Sequence, residues 1–460
     1  MRVDRTLGRL TRSVALFARA SLATAFLTSA SLGSPAGAAQ DATNALAAAF
    51  NGFGQDVFAV LERKPGNLVF SPYSVGVAMA MTMSGAGGDT QSEMLKAMRF
   101  TQTPSAIEAT NGELAALLKS YGRAPPAEAS PEEQCRKINM PAADCVKRLR
   151  AALKPPAAPT ELEIANALMI TPKGDDAKIV SPQYASLLQK AYAAAIFQEA
   201  SLQSVNQWAA GATRDKIDPF LRRIDPDAIA VILDAVYFKG TWETPFDAAS
   251  TKDGPFTLAS GATIQIPTMS TTKPFALLAG AGFKAVRLPY QTPDLGMIIV
   301  LPDDAKRLDA VSAKLDAAGL AKLVPEVEAA TSALLELKLP RFKAEFGANL
   351  KEPMQLAGLK LAFDPQNANF DGIAGRPLGP GTIYVSSVIH KATIEVTEEG
   401  TVAAAVTAVT ITLKAAPMQP PLFAVDRPFL FYITDRKSGA ILFQGRIEDP
   451  RQRVNDSIND

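Results

Sequence analysis

The stretch Glu398-Glu-Gly-Thr-Val-Ala-Ala-Ala-Val-Thr-Ala-Val-Thr-Ile-Thr-Leu-Lys-Ala-Ala416 decides how this chain is read. From Thr401 to Thr412 it consists of small and β-branched residues without proline or glycine, so it reads as a strand with nothing to obstruct a ladder. The large side chains that anchor an ordinary strand are missing. Such a composition suits a strand that slides late between two existing ones, where bulky leading residues would clash with a close-packed interior. Pro417, Pro420 and Pro421 lack ladder donors, so the strand stops before about residue 417.

Outward from this stretch, the chain has 460 residues, 47% hydrophobic and 20% charged, enough to bury a large core. Lys+Arg 47 against Asp+Glu 46 leaves almost no net field, which argues against nucleic acid or an anionic membrane as the main partner. With His 1 and Cys 2, metal chemistry would rest on carboxylates; zinc and EF-hand spacings are absent, and no cofactor is expected. Arg2, Arg5, Arg9 and Arg12 precede an apolar run from Ala20 to Leu32 and then Ala36-Gly-Ala38. That is the plan of a secretory signal, residues 1–38, with cleavage after about Ala38. The run is too short for a permanent membrane span, so a soluble, exported protein is expected, in the periplasm or the medium of a bacterium.

Apolar residues recur at helical spacing from Thr43 to Arg63, where Pro65-Gly66 ends the run, and Ser71-Pro72 opens a second helix with Ser as N-cap. A helix is expected at Val205 to Leu221, strands from Ala228 through Leu301, two short helices within Ala305 to Leu323, and mostly strand from Ile383 to Ile447. Helices in front and long strands behind argue an α+β fold.

Several blocks then occur in one order: Asn67-Leu-Val-Phe-Ser-Pro-Tyr-Ser74, Asn206-Gln-Trp-Ala209, Ala235-Val-Tyr-Phe-Lys-Gly-Thr-Trp242, Leu339-Pro-Arg-Phe342, Phe370-Asp-Gly372, His390-Lys-Ala392 through Glu398-Glu-Gly-Thr401, and Arg427-Pro-Phe429. Together they resemble the serpins, the serine-protease-inhibitor superfamily, from about Asn44 to Pro450. The resemblance implies a single 39–450 domain with three β-sheets, eight or nine helices and an exposed reactive-centre loop. Serpins run directly from a helix into the strand seen here as Leu162 to Ile170. The proline- and cysteine-bearing stretch at about 122–159 therefore reads as an inserted surface excursion, and 451–460 as a polar tail.

What the resemblance implies for function is a single-use inhibitor rather than an enzyme, with a serine protease as partner and a monomeric state. The hinge falls on Glu398, Glu399, Gly400, Thr401, Val402, Ala403, Ala404 and Ala405. Thr401, Ala403, Ala405, Thr407, Val409 and Ile411 would face inward on insertion, and the alternate residues outward. Family spacing from Glu398 places the reactive bond at Lys414–Ala415, while Ala416-Pro-Met-Gln resembles members cleaved at Met418. Each strand residue spans about 3.3 Å, so the later bond would leave roughly 13 Å of slack in a proline-bearing segment, which favours Lys414. Leu413 and Thr412 stay open as neighbouring choices. A non-inhibitory binding or chaperone-like serpin is the alternative; Val402 replaces the acidic residue common there, yet Thr401 to Ala408 holds neither charge nor proline.

Ser71, Ser74, Asp234 and His390 match a polar cluster beneath the serpin central sheet. The family's usual residue at Asp234 is asparagine, and a carboxylate beside a buried imidazole favours the charged pair if the two touch. Counting by twos, His390 shares a face with Val388, Ala392, Ile394 and Val396, which makes it a core histidine rather than a catalytic one. Glu398 and Arg341 match a salt bridge at the top of that sheet, beside Trp242. Cys135 and Cys145 lie in one excursion of an exported chain with no third cysteine, so a disulfide is expected. The basic run Lys147, Arg148, Arg150 and Lys154 reads as a solvated face rather than a polysaccharide site.

Overall fold

Three helices start where the sequence puts a hydroxyl residue before a proline. The hydroxyls of Ser71, Thr103 and Ser181 each accept the backbone N–H three residues on, and Pro72, Pro104 and Pro182 fill positions that need no donor. The computed structural model describes residues 35–122, 135, 145, 160–171, 179–198, 200–401 and 420–458. In chain order the first elements are α1 (Pro35–Leu61), β1 (Leu68–Phe70), α2 (Pro72–Met83), α3 (Gly88–Ala97), α4 (Pro104–Ser120), β2 (Glu161–Ile170), α5 (Pro182–Tyr192), β3 (Ala195–Gln198), α6 (Leu202–Ala212) and β4 (Ala230–Thr241). Next come β5 (Lys252–Thr257), β6 (Thr263–Gly280), β7 (Phe283–Pro289), β8 (Leu295–Pro302), α7 (Leu308–Ser312), α8 (Ala317–Glu328), β9 (Ser332–Pro340) and β10 (Phe342–Asn349). The chain closes with α9 (Lys351–Leu356), α10 (Asp371–Ala374), β11 (Val385–Val396), β12 (Gly400–Thr401), β13 (Leu422–Ala424), β14 (Phe429–Asp435), β15 (Ile441–Ile447) and β16 (Val454–Asp456).

The central sheet runs β16-β10-β11-β4-β2-β3, with β12 added to the end of β4. A larger sheet runs β1-β15-β14-β8-β7-β6-β9-β13, with β5 on β6. Where three sheets were expected, the described residues thus form two hydrogen-bonded networks. The long strand β6 pairs with β9 along Thr268–Ala276 and with β7 along Ala276–Gly280, and so carries one ladder into the next. Ten α-helices occur among the described residues; α10, of 4 residues, is barely a turn.

Two sequence boundaries move. Helix α1 begins at Pro35, ahead of both Thr43 and the expected cleavage point. Helix α6 stops at Ala212 instead of reaching Leu221, because Thr213 Oγ1 bonds back to Ala209 O and accepts from Ile217 N while Arg214 and Asp215 take positive φ.

Strand β4 is buried on both faces, which explains its nearly continuous apolar sequence. Ile232, Val236 and Phe238 join the main core with α1 and α2, whereas Val231, Leu233 and Ala235 pack in a second cluster with Val205 and Ala209 of α6. One face of the sheet therefore looks inward to α2 and the other outward to α6. Among the described residues, no helix is long and apolar enough to cross a membrane.

Candidate functional site: a seam in the central sheet

Strands β4 and β11 lie side by side and parallel, paired from Ala230–Val385 to Tyr237–Thr393 with one irregularity between Val385 and Ser387. Above that row they part. β11 stays with β10 as far as Val396–Phe342, then reverses over Thr397 to Gly400, where Thr397 N donates to Gly400 O at 2.8 Å. Gly400 and Thr401 then run antiparallel to β4, opposite Thr241 and Gly240. Only glycine serves at position 400: its φ is +146°, and a Cβ there would lie 2.0 Å from Gly240 O.

The reversal is tied down at the upper end of the seam. Arg341 Nε donates to Glu398 Oε1 at 2.7 Å, and its Nη2 and the Thr251 hydroxyl reach the same oxygen. Burial works against the Glu398 carboxylate, but the bonds from Arg341 and Thr251 outweigh it and hold its pKa below the usual glutamate range. Burial, together with the Glu398 charge, pushes Glu399 the other way. Trp242 is buried and stacks on Tyr290 with ring centroids 4.6 Å apart. Its indole Nε1 donates to Thr397 O at 3.0 Å, and its backbone N to Glu399 O at 2.8 Å.

Midway down, the inner face carries a second tie. Asp234 and His390 stand opposite one another across the seam, both 0% exposed, with His390 Nδ1 3.0 Å from Asp234 Oδ2. The carboxylate can only accept, so Nδ1 carries the proton. Ser74 donates to the other carboxylate oxygen from α2, and its backbone N donates to Ser71 Oγ at 3.1 Å. Ser71 Oγ donates in turn to Leu442 O at 2.6 Å, which links the cluster to β15. The His390 ring meets Phe70 edge to face at 5.2 Å, and its Nε2 has no partner among the described residues. A nucleophilic triad needs a serine on that nitrogen; here the carboxylate stands between Ser74 and His390, so the group holds strands together.

Val402, Ala403, Ala404, Ala405, Lys414, Ala415 and the Lys147–Lys154 run lie outside the described residues. Cys135 and Cys145 are joined by a disulfide, Cα atoms 5.9 Å apart. Among the described residues, no group of three His, Cys, Asp or Glu could hold a metal ion. Sequence reasoning missed Thr251 and Tyr290 at the upper end, and Lys391 in the row beside His390. Lys391 Nζ donates to Pro219 O on the connector after α6 at 2.9 Å, and pairs with Asp456 of β16 at 2.9 Å. Thr251 lies 147 residues from Glu398, and no local pattern announces such a contact.

A parallel seam at mid-sheet, with a chain reversal folded into its upper end, defines the class. The chain belongs to the serpin family: the family model described as serpin (serine protease inhibitor) matches residues 48–450. Among its relatives, the leukocyte elastase inhibitor of Bos taurus is 31% identical, covering 88% of this chain and 99% of that one. Serpin-ZXA of Oryza sativa subsp. japonica is 32% identical over 84% of this chain and 90% of its own. The native structure of the thermophilic serpin tengpin superposes with a TM-score of 0.71 at 25% identity, covering 87% of this chain and 93% of that one. Human thyroxine-binding globulin shares the fold at a TM-score of 0.71 and 23% identity, covering 89% and 99%.

Proposed function

We propose that this chain is a single-use inhibitor of a trypsin-like serine protease, which it traps as a covalent acyl complex when its cleaved loop enters the seam. The observation that carries the reading is β12. Gly400 and Thr401 already lie antiparallel on β4, the direction a strand entering between β4 and β11 must take. Extending their register sets Val402 opposite Lys239, Ala403 opposite Phe238, Ala404 opposite Tyr237, Thr407 opposite Asp234 and Ile411 opposite Ala230. Val402 and Ala403 thus meet rows where β4 and β11 are unpaired. From Ala404 on, each residue replaces one of the 8 existing β4–β11 pairs. The register also turns the odd-numbered residues inward, and Thr407 would bring a hydroxyl to Asp234 as His390 moves away.

The driving force is the exchange of one parallel ladder for two antiparallel ones, with burial of a strand otherwise in solvent. The protease serine attacks the Lys414 carbonyl, the Lys414–Ala415 bond breaks, Ala415 leaves as a free amine, and Lys414 stays esterified to the enzyme. Insertion then outruns water. Relatives named as elastase inhibitors support protease inhibition, while Lys414 in this chain favours an enzyme with an acidic specificity pocket. The Arg-rich, apolar start and the Cys135–Cys145 bond fit an exported monomer in an oxidising compartment, periplasm or medium.

Incubation with trypsin, followed by a denaturing gel, tests this. A complex that survives denaturation and a released peptide beginning at Ala415 are expected. Complete cleavage of the loop with the protease left active would instead favour a non-inhibitory, binding or chaperone-like serpin.

A further inference from the structure

Strand β16 lies beyond the residues matched by the serpin model and adds to the outer edge of β10 in parallel, Glu345 with Val454 and Gly347 with Asp456. Glu345 N donates to Arg453 O at 2.7 Å, and Ser457 N to Gly347 O at 2.8 Å, so part of an otherwise open edge is occupied. Gly347 makes this possible, since a Cβ there would sit 2.7 Å from Asp456 Oδ1. Across the missing side chain, the Asp456 carboxylate reaches Lys391 of β11. Lys391 continues to the Pro219 carbonyl, and Ile458 packs against the cluster that holds Ile217, Phe220 and Leu221 of the same connector. Burial of Asp456 is outweighed by its bond to Lys391, and Arg222 of the connector adds its attraction.

The connector is anchored on the far side of the seam. Arg214, just after α6, bridges Glu161 at 2.6 Å and Glu163 at 2.8 Å on β2. Tail, β10 and β11 thus lie on one side, β2 and β4 on the other, and the Lys391–Pro219 bond crosses between them. Admitting a strand moves the sides apart by about 4.8 Å, more than that bond can span. Lys391 stands opposite Ala235, one row from His390 and Asp234, so the two ties occupy neighbouring rows on opposite faces.

We propose that the C-terminal strand is a latch on the seam: Asp456 positions Lys391 against the connector and slows the parting of β4 from β11. The proposal rests on the seam opening to admit a strand. Its test uses the full chain and Asp456→Asn, together with a variant ending at Arg453, each incubated with a synthetic peptide of residues 401–412. Uptake is read by native-gel mobility, and hydrogen exchange of the β4 and β11 amides is followed without peptide. Loss of a charge-assisted tie of this kind should speed peptide uptake about tenfold in Asp456→Asn. Faster exchange at Ala230 to Tyr237 should accompany it. Wild-type rates of both in Asp456→Asn would overturn the latch, whether or not the shortened chain folds. If no protein takes up peptide, strand insertion itself fails, and exchange alone decides: accelerated exchange in Asp456→Asn supports the latch, unchanged exchange overturns it.

Discussion

The two ends of the tied region of the seam are built on opposite principles. At the upper end the tie is a salt bridge open to water on one side, its arginine 45% and its glutamate 8% exposed, the strands have separated, and a glycine-led segment occupies the gap. At mid-sheet the tie is an Asp–His–Ser cluster with no exposure, between strands paired row by row from Val231–Ser387 to Tyr237–Thr393. An ion pair with one partner open to water is screened and weakened, whereas removing one partner of a pair buried on both sides leaves a polar group stranded in low dielectric. The seam is therefore soft where a strand would enter and stiff where it would have to travel. On the proposed mechanism, such an order would let insertion begin readily yet hold the sheet closed in the uncleaved protein.

The largest expected effect lies at the soft end. Thr401→Arg puts a charge in the row opposite Gly240, where, on the proposed insertion, it would have to be desolvated before pairing could spread. Complex formation with trypsin should collapse while loop cleavage continues, on a gel that separates the two products. A variant that still traps protease like the wild type would show that the register of β12 does not lead insertion.

Asp234→Ala probes the stiff end. It strands His390 and Ser74 in the core and should cost about 3–5 kcal/mol in denaturant unfolding. Arg341→Ala, at the half-open other end, should cost less, about 1–2 kcal/mol, because Thr251 still donates to the Glu398 carboxylate left behind. Equal costs would erase the contrast between the ends.

Acid sharpens the same contrast. The Glu398 pKa is lowered in the folded protein, so its contribution is fully present above the ordinary glutamate value and disappears as pH falls through the lower, folded one. In a Trp208→Phe background, Trp242 fluorescence should stay constant from neutral pH down to the glutamate range and change below it as the reversal loosens. Glu398→Gln should remove that transition. A Trp242 signal that changes identically with and without Glu398 would detach the carboxylate from the hinge.

The smallest effect is expected away from the seam. Loop entropy assigns the Cys135–Cys145 bridge roughly 2.5–3 kcal/mol, but the closed loop is local, 10 residues of separation within one excursion. Replacing both cysteines by serine should make that excursion more sensitive to proteolysis and leave protease trapping unchanged. Loss of trapping would bring the excursion into the mechanism.

Much of this was legible in the chain because it is written locally. The hydroxyl–proline pair at Ser71 starts a helix, alternation gives the β11 faces, and ordered short blocks mark the family. Glu398 with Arg341, and Asp234 with His390, were legible only through those blocks, since each pair is joined across a long sequence separation. The end of α6 was misread, because the hydroxyl of Thr213 and two left-handed residues override an amphipathic pattern that continues past them.

By itself, the sequence determined which side chains of β11 share a face and where Ser71 and Pro72 open a helix, because propensity and period are properties of neighbouring residues. Tertiary structure decided the rest: where β4 and β11 cease to pair, which carboxylate faces which cation, and that a polar tail becomes an edge strand over Gly347. Those outcomes depend on surfaces brought together from distant parts of the chain, whose fit is fixed only when the core closes.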